Sequence, residues 1–237
     1  MYFDFLGTRD AIASWPKAKL HAFVDLLEAL VQLRGPQDIG GTALPDGGYQ
    51  IRLKPEISTF SDHIVVSYPE PDMEDLAIDV MKPVWAEFIC QDCIRVISAI
   101  AERALRQGLL LRGGLSRGEL YHGNEVVFGE ALVDAYRLES EVALVPRILV
   151  SERVWQQLQG GAGAHPDLLR QDDDELWYLN YFARMREHGV GMGAPDSVER
   201  WNAAMREIVS NNLDIARSDP GRTAKWVWFT ERLESVL

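Results

Sequence analysis

The sequence of 237 residues predicts an α+β fold, in which strands and helices share one core. Three observations lead to this class. Segments with the alternating apolar pattern of strands are interspersed along the chain with segments whose apolar residues recur at helical spacing. The sequence contains no internal repeats or low-complexity tracts. In addition, 47% of its residues are hydrophobic, which is ample for a core.

The first half of the chain predicts a strand, a helix, two strands and a second helical region. YFDFLG indicates an opening strand that a glycine ends. WPKAKLHAFVDLLEALVQLRG indicates a helix, with Pro16 near its start and Gly35 after its end. GGYQIRLKPEISTFSDHIVVSYP predicts two strands around a short turn. One long or broken helical region then runs from about Asp75 to Gln107, with Pro83 near a break.

The second half continues the alternation and ends in helices. LLLRGGLSRGELYHGNEVVFG predicts a strand, a tight turn and a short strand, and VVFGEALVDAYRLE predicts the next helix. PRILVS is a further strand, GGAGAH begins a loop, and DELWYLNYF is a late strand. After a break at residues 191–195, two helices are expected near Val198 to Arg217 and Thr223 to Leu237.

The order of these elements predicts a more specific architecture. Strand, helix, strand, strand, helix, strand is the split βαβ arrangement of a ferredoxin-like sheet. We therefore expect a ferredoxin-like βαββαβ domain over residues 1–182. Residues 183–237 are expected to form a C-terminal helical extension packed on that domain.

Composition narrows the classes of partner. Acidic residues outnumber basic ones by 36 to 24, which gives a net charge of −12 and disfavours binding to nucleic acid or to anionic membranes. The N-terminus lacks the pattern of a secretory signal, and the apolar runs are shorter than the roughly 18 to 20 residues that a membrane span requires. Cys90 and Cys93 form a C-x-x-C without further metal ligands nearby, so we expect them to be buried in a helix. The sequence thus predicts a cytoplasmic protein.

Three charged residues are candidates for chemistry, although each has a structural alternative. Asp4 lies within an apolar strand, where it either faces water, pairs with a residue such as Arg9, or binds a cation. Asp62 likewise precedes an apolar strand, and two such carboxylates would suit Mg²⁺ or Mn²⁺. Arg137 is either a helix-surface cation that pairs with Glu141 or Asp134, or a clamp for phosphoryl oxygens.

Together these motifs resemble the class III nucleotide cyclases, the adenylate and guanylate cyclase family. FDFLGT resembles the strand that carries the first metal aspartate, and FSDHIVVSY resembles the hairpin that carries the second. LLLRGGLSRGELYHGNEVVFGEALVDAYRLE resembles the block that leads into the catalytic helix. The resemblance covers roughly residues 1–155, and it implies a nucleotide cyclase catalytic domain.

The resemblance also implies roles for individual residues. Two Mn²⁺ or Mg²⁺ ions per active site would be held by Asp4, Phe5 and Asp62. Backbone N–H groups around Phe5, Leu6, Gly7 and Thr8 would bind phosphate oxygens. Arg137 would stabilise charge on the α-phosphoryl group. Because the metals and the arginine belong to different domains in this family, a single-domain chain is expected to act as a homodimer with shared active sites.

The sequence departs from the purine cyclases at the positions that read the base. Ser58 stands four residues before the second aspartate, where purine cyclases carry lysine or glutamate. Val126 and Val133 stand eleven and four residues before the arginine, at usually polar positions. Aliphatic side chains cannot make the hydrogen bonds that distinguish bases. Either the domain is a degenerate cyclase that binds nucleotide without reacting, or it acts on a different base.

Both metal aspartates and the arginine are present, and only the residues that read the base are replaced. This selective replacement favours a cyclase that acts on a different base. The whole chain resembles the compact pyrimidine cyclases of bacterial antiphage defence, which make cyclic UMP or cyclic CMP for a separate effector protein. We expect UTP as substrate, with CTP as the alternative. Tyr49 and Arg95 are candidates to read the base, although such residues commonly serve packing or face solvent. A non-catalytic nucleotide-binding or scaffold module on the same fold is the rival interpretation.

Overall fold

A computed structural model describes residues 1–32, 37–41, 49–53, 55–69, 78–124, 126–159, 167–191 and 196–237. Within these residues the side chains of 9–11, 37–41, 49–53 and 78–84 are not described. The described strands are β1 (Tyr2–Leu6), β2 (Gln37–Gly41), β3 (Tyr49–Leu53), β4 (Glu56–Phe60), β5 (His63–Ser67), β6 (Leu110–Leu115), β7 (Tyr121–Gly123), β8 (Val126–Phe128), β9 (Ile148–Val150), β10 (Leu169–Gln171) and β11 (Trp177–Leu179). The described helices are α1 (Thr8–Ser14), α2 (Lys17–Val31), α3 (Ile78–Arg106), α4 (Glu130–Arg137), α5 (Glu152–Gln159), α6 (Phe182–Val190), α7 (Ser197–Ala216) and α8 (Pro220–Glu234). A one-turn π-helix, Leu138–Val142, continues α4.

A mixed sheet of seven strands organises the molecule and confirms the α+β class. Its strand order is β10-β11-β9-β6-β1-β5-β4. β6 and β9 are parallel, whereas the other neighbouring pairs are antiparallel. β2 pairs with β3, and β7 with β8, in two separate hairpins. In the described part of the chain no helix is long and apolar enough to cross a membrane.

The side chains of the central strand β1 alternate between two chemically different faces of the sheet. Phe3 and Phe5 are fully buried on the face that contacts the helical core. Because successive side chains alternate across a strand, Tyr2 and Asp4 lie on the opposite face. The register puts Asp4 opposite His63 of β5 and opposite Arg112 of β6. A charged cluster is thereby assembled in the middle of the sheet.

Several element predictions are confirmed, and others are wrong in informative ways. The segment expected to hold two strands forms three, because β3 leaves the main sheet to pair with β2. α3 continues through Pro83 without the expected break. Pro83 is the sixth residue of α3, so its missing N–H removes one helical hydrogen bond without ending the helix. α1, α5 and β10 were not expected, and residues 160–166, which include the predicted loop, lie outside the described residues.

The C-terminal helices α6, α7 and α8 share the hydrophobic core with the sheet and α3. A polar network also joins α8 to the turn after β10. Trp228 Nε1 donates to Asp172 Oδ2 at 2.8 Å, and Arg232 Nη2 donates to Asp172 Oδ1 at 2.5 Å. Arg147, with only 2% of its side chain exposed, pairs with the same Asp172 and with Asp174. Asp172 therefore pairs with two arginines, one of which also pairs with Asp174.

The glycine pair in β6 allows α4 to approach the sheet closely. A Cβ on Gly114 would collide with the carbonyl oxygen of Ala135 and with the side chain of Leu138. The helix consequently lies directly on β6, and the π-turn that follows directs Glu139 inward, where it is 2% exposed. Gly114 thus allows the end of α4 to lie in direct contact with β6.

The C-x-x-C residues are buried in α3, as the sequence predicts. Cys90 and Cys93 are both free thiols with almost no exposed surface. Burial raises the pKa of Cys93 to about 12 and also raises the pKa of Cys90. Thiols in this environment stay protonated and act as small apolar residues.

Candidate active site

Asp4 is a buried carboxyl with incomplete hydrogen bonding. Its Oδ1 atom is buried and has no hydrogen-bond partner in the structure. Its Oδ2 atom lies 3.6 Å from Nη2 of Arg112. The same Nη2 atom forms a much shorter ion pair with Glu139. Arg112 is therefore committed mainly to Glu139, and Asp4 retains an oxygen that a cation can use.

The surroundings of Asp4 disfavour its negative charge. Burial, followed by repulsion from Glu139 and Asp62, raises the pKa of Asp4 to about 6, although Arg112 and His63 oppose the increase. A carboxyl that is ionised only at a free-energy cost gains stability when a cation arrives. The electrostatics of the site therefore fit a bound divalent cation.

Asp62 lies in the turn between β4 and β5, beside the end of β1. Thr8 donates a short hydrogen bond to Asp62 Oδ2, and the same hydroxyl lies 3.1 Å from the carbonyl oxygen of Phe5. Burial raises the pKa of Asp62, but hydrogen bonds from Thr8, from its own backbone and from Ser61 outweigh burial and leave the pKa below its ordinary value. Asp62 is thus the ionised carboxylate of the pair.

The predicted metal ligands fit a hard cation. Asp4 and Asp62 offer carboxylate oxygens, and Phe5 offers a backbone carbonyl beside them. Mg²⁺ commonly uses one or two carboxylates and completes its shell with water and substrate phosphates. No group of three or more His, Cys, Asp or Glu side chains forms a ready-made metal site among the described residues. The arrangement therefore matches a cation that arrives with a phosphate ligand.

The loop that follows β1 turns sharply at Gly7. Gly7 has a φ of 96°, a region that other residues rarely adopt. Leu6 ends β1, and the buried Thr8 begins α1. The backbone of residues 5–8 therefore turns sharply beside Asp62.

Arg137 ends α4 and is exposed. Neither of the two expected pairs, with Glu141 or with Asp134, forms. Within the described part of the chain, no hydrogen bond or ion pair holds its side chain. Its neighbours Val133 and Tyr136 are each 49% exposed. The structure does not bring Arg137 into the Asp4 cluster of its own chain.

The candidate base-reading residues are dispersed. Ser58 lies on β4 and bonds to His122 of β7, with 2.8 Å between Oγ and Nε2. Arg95 lies on α3, where its Nε donates to Asp92 at 2.6 Å, and Tyr68 donates to the same carboxylate. Arg95 therefore belongs to the helical face of the sheet, opposite Asp4. The backbone of Tyr49 lies in the β2–β3 hairpin, but its side chain and that of Arg9 lie outside the described residues.

A groove of about 980 Å³ opens beside α4. Its walls include Tyr2 and Ser67 from the sheet, His122 from β7, and Ala131 and Ala135 from α4. It lies near the start of β1, whereas Asp62 and Gly7 lie near the end of that strand. The groove and the carboxylates of Asp4 and Asp62 therefore lie on different sides of α4.

Four residues in these clusters were missed by sequence reasoning. They are Arg112, Glu139, His122 and Ser67. Arg112 carried a weak signal, because a charge within the apolar run LLLRGG needs a partner. The other three become recognisable only when strand register and the β7–β8 hairpin bring them together.

Comparison with protein-family models, with curated proteins and with solved structures found no match for this chain. Inferences about its activity therefore depend on its own residues.

Proposed function

We propose that this chain is a nucleotide cyclase that converts UTP to 3′,5′-cyclic UMP and pyrophosphate. The observation that carries the proposal is the pair of carboxylates at adjoining strands. Asp62 is ionised and held by Thr8, and Asp4 has a buried oxygen without a partner. Such a pair suits cation-assisted phosphoryl transfer, which depends mainly on positioning and electrostatics.

The topology supports a ferredoxin-like cyclase domain. Four strands in the order β6-β1-β5-β4 carry the candidate residues, and all three of their pairings are antiparallel. β1, α2, β4, β5, α3 and β6 follow one another in the chain apart from the β2–β3 hairpin and the short α1. This sequence of elements and this strand order correspond to a split βαβ unit. On its own, the fold does not define an activity.

The residues of the chain have distinct tasks in the proposed reaction. The 3′-oxygen of the ribose attacks the α-phosphorus, an O3′–Pα bond forms, and the bond to the bridging oxygen of pyrophosphate breaks. Asp4, Asp62 and the carbonyl of Phe5 would hold Mn²⁺ or Mg²⁺. The bound cations supply Lewis acidity and charge neutralisation. The backbone at Leu6, Gly7 and Thr8 would bind the phosphate oxygens.

Arg137 would act in a homodimer. Among the described residues its exposed side chain has no partner, and exposed apolar residues occur on α4 and on the β7–β8 hairpin. These exposed apolar residues are Tyr121, Val126, Phe128, Val133 and Tyr136. An exposed patch of this kind favours burial against another protein surface. In a two-fold dimer each copy would contribute its arginine to the carboxylates of the other.

The choice of a pyrimidine rests on the residues at the positions where purine cyclases read the base. Val126 and Val133 offer no hydrogen bonds, and Ser58 is shorter than the lysine or glutamate of purine cyclases. The proposed substrate is therefore UTP, and CTP is the alternative. Cyclic UMP would then act in the cytoplasm through a separate effector protein.

Incubation with each of the four ribonucleoside triphosphates and Mn²⁺, followed by mass spectrometry, tests the activity. We expect cyclic UMP and pyrophosphate from UTP, and no product from Asp4→Asn or Asp62→Asn. Asp25→Asn, an exposed change on α2, is the matched control. Cyclic AMP as the main product would contradict the pyrimidine assignment, and nucleotide binding without pyrophosphate release would favour a non-catalytic module.

Mixing inactive variants tests the shared site. Asp62→Ala and Arg137→Ala should each be inactive as homodimers. After subunit exchange, each mixed dimer has one intact site, so about a quarter of wild-type activity should return. Confirmed mixed dimers without activity would refute the shared site.

A further inference from the structure

Glu139 is a buried carboxylate two residues beyond Arg137. It lies in the π-helical turn Leu138–Val142, and 3% of its side chain is exposed. Its partner is Arg112 of β6, whose Nη2 atom forms a short ion pair with it. Arg112 Nη1 also lies 3.5 Å from the carbonyl oxygen of Ala143, directly after the turn. Arg112 therefore ties the end of the helix that carries Arg137 to the middle of the sheet.

Arg137 is exposed, but residues on both sides of it in the chain contact the sheet. Ala135 and Leu138 lie against Gly114 of β6, and Glu139 pairs with the same strand. The contact with Gly114 limits the distance between helix and strand, while the ion pair beyond Arg137 limits rotation of the helix end. Because a guanidinium stands at the end of a long side chain, a small rotation of the backbone displaces it considerably.

Two carboxylates compete for the guanidinium of Arg112. Asp4 Oδ2 lies 3.6 Å from the same Nη2 atom that pairs with Glu139. Among the described residues, Arg112 Nε and Asp4 Oδ1 are both buried and have no hydrogen-bond partner. An arginine can bond both oxygens of one carboxylate in a bidentate pair. A shift of Arg112 toward Asp4 would therefore satisfy both atoms, but it would break the pair with Glu139.

We propose that Glu139 is a positioning residue that serves both active sites of a homodimer. Toward Asp4 of its own chain, it retains Arg112 and so leaves an oxygen of Asp4 for a cation. Toward the other site, it holds the helix end from which Arg137 reaches the second copy. Asp4 and Arg137 of one chain belong to different sites in the shared arrangement, so one ion pair affects both. The inference rests on the nucleotide cyclase function proposed above.

Mixed dimers with a single active site separate the two effects. An Asp62→Ala chain paired with an Arg137→Ala chain keeps one site, with the carboxylates of the Arg137→Ala chain and the arginine of the Asp62→Ala chain. Adding Glu139→Gln to the Asp62→Ala chain should lower kcat about 10- to 100-fold, because the arginine is misplaced, and leave the Mn²⁺ requirement unchanged. Adding it to the Arg137→Ala chain should leave kcat unchanged. The Mn²⁺ concentration for half-maximal activity should then rise about 5- to 10-fold, because Arg112 competes for Asp4.

This reciprocal pattern distinguishes positioning from a general loss of structure. Glu141→Gln, an exposed change in the same turn, is the matched control and should leave both quantities unchanged in either chain. An equal effect of Glu139→Gln on kcat and on the Mn²⁺ requirement, whichever chain carries it, would overturn the proposal. Unchanged values in both arrangements would overturn it as well.

A binding measurement without turnover tests whether Glu139 acts through Arg112. Calorimetric titration of the homodimer with Mn²⁺ and inorganic tripolyphosphate should show about 5- to 10-fold weaker binding for Glu139→Gln. In an Arg112→Gln background the same substitution should have no further effect, because the competing guanidinium is absent. An equal loss in both backgrounds would mean that Glu139 attracts the cation directly, which would overturn its action through Arg112. Circular dichroism checks that each variant is folded, and the mixed dimers, which keep Arg112, test the proposal independently.

The same titration separates this inference from the activity itself. Binding of Mn²⁺ and tripolyphosphate without cyclisation of any nucleoside triphosphate would refute the cyclase function alone. The comparison of the two backgrounds would then still decide whether Glu139 restrains Arg112. Cyclisation together with equal binding by the wild type and Glu139→Gln, and with unchanged kinetics of the mixed dimers, would refute the role of Glu139 alone. A wild type that neither binds nor cyclises would refute both.

Discussion

Asp4→Asn is expected to stabilise the metal-free protein at neutral pH. In the folded protein the pKa of Asp4 is about 6, compared with an ordinary value of 3.8, because burial and Glu139 disfavour the ionised form. Each pKa unit corresponds to about 1.4 kcal/mol, so ionising Asp4 in the folded state costs about 3 kcal/mol. Asparagine has the same shape without the charge and avoids this cost.

Because the pKa of Asp4 is raised on folding, the stability difference between the wild type and Asp4→Asn grows as the pH increases. Below about pH 4 the carboxyl is protonated in both the folded and the unfolded state, so wild type and Asp4→Asn should be equally stable. As the pH rises from about 4 to 6, the unfolded chain loses its proton first, and the wild type loses stability relative to the variant. Above about pH 6 the difference should be constant at about 3 kcal/mol.

Urea unfolding in the presence of a chelator, at one protein concentration and at several pH values, measures this difference. Asp25→Asn is the control, since it removes a carboxylate from an exposed helix position. Adding Mn²⁺ should then stabilise the wild type more than Asp4→Asn, because the ionised carboxylate binds the cation. A wild type that is more stable than Asp4→Asn at pH 7 without metal would refute the reasoning about this buried charge.

Three further changes test other parts of the structure. Gly114→Ala should reduce cyclase turnover more than about 10-fold, because α4 must move away from the sheet, and the rate together with circular dichroism checks this. Thr8→Val should raise the Mn²⁺ concentration for half-maximal activity several-fold by freeing Asp62, whereas Thr8→Ser should not. Asp172→Ala should lower the free energy of unfolding by about 2 to 3 kcal/mol, because Trp228 and Arg232 lose an acceptor and Arg147 keeps only Asp174, and its exposed neighbour Asp173→Ala should change little.

The elements that the sequence predicted correctly are those with strong local patterns. β1 and the helices α4, α7 and α8 have clear apolar periodicity and clear ends. β2 has the sequence QDIGG, which lacks any alternation, and it exists because it pairs with β3. Such a strand depends on a contact between distant residues, so local reasoning cannot find it.

The candidate site also combines features that local sequence patterns predict with features that depend on contacts between distant residues. The expectation that Asp4 and Asp62 lie near each other followed from two strand ends, and their surroundings agree with it. The involvement of Glu139 could not be predicted, because it depends on the switch from α-helix to π-helix after Arg137. An unbroken α-helix would rotate Glu139 away from Arg112, since π-helical turns contain more residues.

The charge balance around Asp4 favours the participation of a second copy of the chain in the proposed reaction. The cluster contains three carboxylates, Asp4, Asp62 and Glu139, and the guanidinium of Arg112 is already paired with two of them. Cations at the carboxylates would neutralise these groups and part of the triphosphate, and among the described side chains the one arginine of the cluster, Arg112, is already paired. The exposed Arg137 of another copy would supply that charge. Specific activity per chain should therefore fall on dilution as sedimentation shows dimers dissociating, and constant activity in the monomer would contradict this account.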